Sequence, residues 1–122
     1  MKKLIAVLAL AIAATLPVSS TASAQDTQPR LMRKFIIERE IPKVGSLNQS
    51  QLKGAAAKSN QALGQLGPDI QWVESYVAAD KTFCVYLAKD EAVIRKHAEI
   101  SGFPASRITE VLRTIDPTTA SE

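Results

Sequence analysis

The chain has 122 residues, 46% of them hydrophobic and 22% charged, with 15 basic and 12 acidic side chains and a formal charge of +3. That length suits one small domain with one core, and no basic run argues for a nucleic-acid partner. The single cysteine excludes an intramolecular disulfide, so packing alone must hold the fold.

The first 24 residues read as a secretory signal rather than as part of the fold. Lys2 and Lys3 precede an apolar run from Leu4 to Leu16, Pro17 breaks it, and Ala22, Ser23 and Ala24 place small residues before a cleavage point at Gln25. The run is short for a membrane span, and no cysteine follows it closely for lipid attachment. The expectation is a periplasmic or secreted protein with no membrane contact after cleavage; an uncleaved N-terminal anchor is the alternative. Without the leader, 98 residues remain, with 13 basic against 12 acidic, a net charge of +1. Residues 25–33 read as a polar, proline-containing linker, 34–118 as the domain and 119–122 as a tail.

Lys34 to Ile41 is rich in β-branched residues and predicts a strand, with Phe35, Ile37 and Ile41 on one face and Ile36, Glu38 and Glu40 on the other. Pro42 and Gly45 end it. Residues 46–67 predict a helix, capped by Ser46 with Gln49 or by Asn48 with Gln51. Leu52, Ala55, Ala56, Ser59, Leu63 and Leu66 share one helical stripe, and Gly67 with Pro68 closes the helix. Residues 70–88 predict a hairpin turning at Ala78 to Lys81. Its first strand alternates Trp72, Glu74, Tyr76 against Val73, Ser75, Val77. Its second alternates Phe83, Val85, Leu87 against Thr82, Cys84, Tyr86. Asp90 is the expected N-cap of a second helix, with Glu91 at the positive end of its dipole. Val93, Ile94, His97, Ile100 and Ser101 form its apolar stripe, and Glu91, Arg95, Lys96 and Glu99 lie opposite. Residues 101–104 stop the helix, and a last strand is expected from Ile108 to Asp116, closed by Pro117.

The order β-α-β-β-α-β predicts an α+β, ferredoxin-like sandwich: an antiparallel sheet with two helices on one face. The other face needs a partner or water. A homodimer, in the form of a dimeric α/β barrel, is the expected assembly.

Strand parity bears on Cys84 and His97, each the only residue of its kind. If the more apolar Phe83, Val85 and Leu87 lie under the helices, Cys84 points away from them and the sheet separates it from His97. A Cys–His dyad needs hydrogen-bond contact, so no catalytic pair is expected within a subunit. His97 is then either a satisfied core histidine or a metal ligand, since imidazole suits nickel, zinc and copper. A metal site there would recruit Glu91 or Glu99, with Cys84 as a thiolate ligand. Cys84 is otherwise a small buried hydrophobe at a subunit interface. By the same parity the uncovered face carries Glu38, Glu40, Trp72, Glu74, Tyr76, Thr82, Cys84, Tyr86 and Glu110. Glu38, Trp72, Glu74, Tyr76 and Tyr86 are its candidate ligand-binding residues. Aromatics beside carboxylates suit a pocket or a dimer interface with a charged rim.

The segments 34–42, 66–77, 80–111 and 115–118 resemble a family of small bacterial proteins of unknown function that includes nickel-responsive, nickel-binding, ferredoxin-like proteins of actinomycetes. The resemblance spans about Lys34 to Thr118 and is most specific from Trp72 to Pro104. It implies a ferredoxin-like, dimeric fold and, for some members, nickel binding; Glu38, Trp72, Glu74, Tyr76, Cys84, Tyr86 and His97 stand at positions matching its recurring pattern. The family's members are short chains without an export leader, so a cytosolic nickel-sequestering role would not carry over unchanged. The function expected is that of an exported binding protein for nickel or another divalent metal, more a binder than a catalyst. Two alternatives stand beside it. One is an enzyme of oxidative or isomerising chemistry in a sheet-face pocket, with Glu38, Glu74, Tyr76 and Tyr86 as acid–base groups. The other is an interaction module without a ligand.

Overall fold

The structure, a computed structural model of the chain, describes residues 11–14 and 31–121. The expected leader and linker therefore lie largely outside the described residues. No helix among the described residues is long and apolar enough to cross a membrane.

Four strands and two helices follow the expected order: β1 (Arg33–Glu40), α1 (Gln49–Leu66), β2 (Ile70–Val77), β3 (Lys81–Ala88), α2 (Glu91–Ser101) and β4 (Arg107–Val111). Short 3-10 turns lie at Val44–Ser46, Gly67–Asp69 and Pro117–Ser121. The strands form one antiparallel sheet in the order β2-β3-β1-β4, which makes the domain α+β. Both helix starts use side-chain caps. Asn48 and Gln51 form a reciprocal capping box on α1, and the Asp90 carboxylate accepts from the Val93 N–H on α2. Gly67 and Gly102 end the two helices at positive φ, where a Cβ would be strained.

The core lies between the helices and one sheet face. It gathers Phe35 and Ile37 from β1, Ile70 from β2, Cys84, Tyr86 and Ala88 from β3, and Val93 and Ile94 from α2. Leu63, Leu66 and Ile108 pack against it. The α1 stripe is as expected, with Ala62 added to its buried side; on α2, Ile100 is exposed rather than buried.

The parity expected for β3 is reversed. Thr82, Cys84, Tyr86 and Ala88 are buried, and the intervening Phe83, Val85 and Leu87 are only partly covered, on the open side. Register explains this. Phe35 pairs with Tyr86, and Ile37 with Cys84, and directly opposed residues share a face. A bulge between Trp72 and Glu74 inserts Val73 as an extra residue, so Trp72 joins Ser75 and Val77 on the helix side while Glu74 and Tyr76 stay on the open side. Trp72, Thr82, Cys84 and Tyr86 thus leave the uncovered face to which parity assigned them. Glu110 leaves it too, since it pairs with Phe35.

The last strand is also shorter than expected. It stops at Val111, paired with Lys34 at the start of β1, so the ladder has almost no β1 residues left. Beyond it Leu112 and Ile115 are 85% and 78% exposed.

Candidate functional site

A buried polar cluster sits between the sheet and the helices, contributed by four elements. Arg39 follows Phe35 and Ile37 on the core face of β1 and is buried despite its charge. His97 lies on the inward stripe of α2 and is 0% exposed. Ser59 comes from α1 and Tyr86 from β3, both buried. Arg39 Nη1 donates to the carbonyls of Phe103 (3.2 Å) and Pro104 (3.0 Å), and Arg39 Nη2 lies 3.4 Å from His97 Nδ1. His97 Nε2 is 3.1 Å from Ser59 Oγ, which is 3.4 Å from the Tyr86 hydroxyl. The Tyr86 ring meets the imidazole at 5.4 Å and 57°, and the Arg39 guanidinium lies 5.9 Å from the centre of the Tyr86 ring.

These partners assign the histidine's proton. A guanidinium can only donate, so Nδ1 must offer its lone pair, and the proton then sits on Nε2 and is donated to Ser59 Oγ. Burial, and next the positive charge of Arg39, hold the His97 pKa below its ordinary value of 6.5; an interaction with the Ser59 backbone opposes them. Burial raises the Tyr86 phenol, against lowering contributions from Ser59 and Arg39.

Cys84 and His97 lie on the same side of the sheet, not on opposite sides as parity suggested. They are nonetheless served by different partners: the Cys84 thiol meets Thr82 Oγ1 at 3.5 Å, and the imidazole meets Arg39 and Ser59. The four residues expected to bind metal are not gathered. His97 and Cys84 are interior, whereas Glu91 and Glu99 are on the exposed side of α2, with Glu91 holding Arg95 at 2.6 Å. Among the described residues no three His, Cys, Asp or Glu side chains come together as a metal-holding group.

The five candidate ligand-binding residues also divide. Trp72 and Tyr86 belong to the helix side, where the Trp72 indole N–H donates to Ser75 Oγ at 2.9 Å. Glu38, Glu74 and Tyr76 are on the open face. Glu38 lies between Lys81 (3.5 Å) and Arg107 (3.9 Å). The Tyr76 hydroxyl donates to Glu74 at 2.6 Å, and that hydrogen bond, then the glutamate's charge, raises the Tyr76 pKa. Ile36, Phe83, Val85 and Leu87 form an apolar, partly covered strip between these polar flanks. An open groove of about 550 Å³ lies elsewhere, where the loop after β1 meets the hairpin tip, lined by Lys43, Gly45, Ser46 and Val77 to Asp80. None of the polar residues described above lines it.

Arg39 and Ser59 were not among the expected site residues. Both had a signal: Arg39 interrupts the apolar series Phe35, Ile37, Ile41 at the same parity, and Ser59 lies inside the apolar stripe of α1.

A sequence model of the family described as "Nickel responsive protein SCO4226-like" matches residues 35–111, from β1 to the end of β4. Among solved structures, the crystal structure of SCO4226 from Streptomyces coelicolor A3(2) is similar, with a TM-score of 0.55 and 20% identity over 67% of this chain and 99% of that one. At that identity the likeness is one of fold. No curated protein matches the chain.

Proposed function

We infer a metal-related role from the premise that this chain belongs to the SCO4226-like family of nickel responsive proteins: it is an exported, homodimeric protein that binds a divalent transition metal, nickel first, without catalysing a reaction. One subunit's described residues do not fit a nickel site by themselves, since no three suitable side chains converge. The interior histidine does not fit either in this geometry, because both ring nitrogens are engaged. The observation that carries the reading is the placement of Glu38, Glu74 and Tyr76 on the open sheet face, around an apolar strip. A sheet face with apolar residues at its centre favours cover by a second copy. Pairing two such faces doubles the number of carboxylate oxygens at the rim, hard donors that octahedral divalent ions accept, and nickel is placed first among those ions by the family's description rather than by the donor set.

The test is calorimetric titration of nickel, zinc, cobalt and copper into the purified chain lacking its leader, with the oligomeric state measured alongside. Nickel binding by a dimer, weakened tenfold or more by Glu38→Gln or Glu74→Gln and unchanged by Cys84→Ser, is the expected result. Binding by a monomer, or binding indifferent to both glutamates, refutes the shared-face site; no binding of any metal refutes the metal role. Fractionation of cells expressing the full chain tests export, and a full-length product in the cytosol would contradict it.

A further inference from the structure

We propose that His97 and Arg39 form a pH-sensitive latch that holds the segment between α2 and β4 against the sheet and releases it when the imidazole takes up a proton. The latch consists of one side chain with two attachments. Through Nη1, Arg39 binds the carbonyls of Phe103 and Pro104, in the segment leaving α2; through Nη2 it faces His97 Nδ1, near the end of α2. Two further bonds fasten the same segment to β1, from the Ser106 N–H to the Glu38 carbonyl (2.9 Å) and from the Glu40 N–H to Ser106 Oγ (3.0 Å).

The contact works only with neutral imidazole. A proton on Nδ1 would point a donor at a donor and place a second cation 3.4 Å from the first. What surrounds the ring offers no relief. β1 contributes Arg39, β3 contributes Tyr86, with Cys84 the next inward residue along that strand, and α1 contributes Ser59 and, against the Phe103 ring at 5.6 Å, Lys58. On β4 the acid of the same sheet side, Glu110, is held by Arg33 at 3.1 Å. On α2 itself Arg95, Lys96 and Glu99 point to solvent. Among the described residues no carboxylate is within ion-pair distance of Arg39. Lowering the pH therefore has two outcomes: the closed form keeps its imidazole neutral through a lowered proton affinity, or the segment opens, the imidazole takes up a proton and both cations reach water. The depressed basicity of His97 agrees with this. The opening is local, because the amides of β1 and β3 are held by their own ladder.

Hydrogen exchange of the full chain, read peptide by peptide between pH 7.5 and 5 and corrected for intrinsic rates, tests the latch. Below about pH 6.5 the opening equilibrium of residues 98–106 should rise up to tenfold per pH unit, as one proton is taken up on opening, while β1 and β3 stay protected. His97→Asn keeps an acceptor near the Nδ1 position and cannot titrate; it should abolish the dependence. A flat profile in the wild type, an equal loss across the sheet, or a dependence retained in His97→Asn would overturn the proposal. The wild type supplies an independent check if the variant does not fold. It has a single histidine, so its imidazole proton resonance in the folded protein is unambiguous. Titration clearly below 6.5 supports the latch, and titration at or above 6.5 rules it out.

Discussion

Ile36 and Ile37 are adjacent on β1 but face opposite sides of the sheet, and truncating each to alanine tests the corrected face assignment directly. Ile37 is 0% exposed, opposite Cys84 on β3 and Ile108 on β4. Its truncation removes about three methylene equivalents, roughly 2.4 kcal/mol of transfer free energy at ~0.8 kcal/mol each. It also leaves a cavity that helices and sheet cannot both close, which brings the expected loss to about 3–4 kcal/mol. Ile36 pairs with Val85 and Thr109 on the open side and is partly exposed. Its truncation opens no enclosed cavity, so the transfer part alone applies, about 1–2 kcal/mol. Urea denaturation of both variants at the lowest workable protein concentration gives the comparison. Raising the concentration adds a second reading, because a face covered by another copy makes the Ile36→Ala loss grow with concentration. An Ile36→Ala loss equal to or above that of Ile37→Ala at low concentration would refute the assignment of faces.

The pH dependence of global stability has a defined sign. The folded His97 resists protonation and the unfolded one does not, so stability is unaffected above about pH 6.5 and is lost as pH falls through the folded pKa. The loss at pH 5.5 is at most about 1.4 kcal/mol, and nearer 1 with residual solvent screening; denaturation midpoints at pH 7.5 and 5.5, in wild type and His97→Asn, measure it. A second substitution tests the hairpin contact. A Cβ on Gly45 would lie 2.7 Å from the Ala78 carbonyl oxygen and 2.9 Å from Ala79 Cα, both backbone atoms. Gly45→Ala must therefore displace the hairpin tip and weaken the bond from the Gly45 N–H to the Ala79 carbonyl (2.9 Å), for a loss of about 2–3 kcal/mol in thermal or urea unfolding.

Element order and helix ends were legible because they depend on local chemistry. Asn48 with Gln51, Asp90, Gly67 and Pro68 act within a turn of where they stand in sequence, and all four appear as the residues predict. The face of β1 was legible for the same reason, except that the buried series includes the charged Arg39, which alternation of apolar residues does not mark. The face of β3 was not, because both of its faces are apolar enough to be core. Phe83, Val85 and Leu87 outweigh Cys84, Tyr86 and Ala88 on any hydrophobicity count. What decides between them is pairing with β1, a long-range fact that alternation does not encode. Trp72 was misplaced through the bulge at Val73, one extra residue that shifts half a strand and has no glycine to announce it. The separation of Cys84 from His97 failed with the parity on which it rested. The candidate metal set failed to gather for a different reason: Glu91 and Glu99 lie on the opposite face of the helix from His97, a disposition the helical period already contained.

The arrangement places polar groups inside and apolar groups outside, and the two are linked. Arg39, Ser59, Tyr86 and His97 come one each from β1, α1, β3 and α2. Their hydrogen bonds close only when all four elements are in register, and any slip leaves a buried donor or acceptor without a partner at about 1–3 kcal/mol each. In a domain this small, with no disulfide to hold it, such a network discriminates against alternative packings that an apolar core alone would tolerate. It also removes the only imidazole, the only thiol and one of the two phenols from solvent, leaving carboxylates and the Tyr76 phenol as the accessible donors. Among the described residues, the accessible donors of one copy do not converge on a metal. In the proposed dimer, Ile36, Phe83, Val85 and Leu87 on the open face would draw in a second copy that brings its own. On this argument metal binding and self-association are one event: a substitution that keeps the subunits apart should remove nickel affinity even where every proposed ligand is intact.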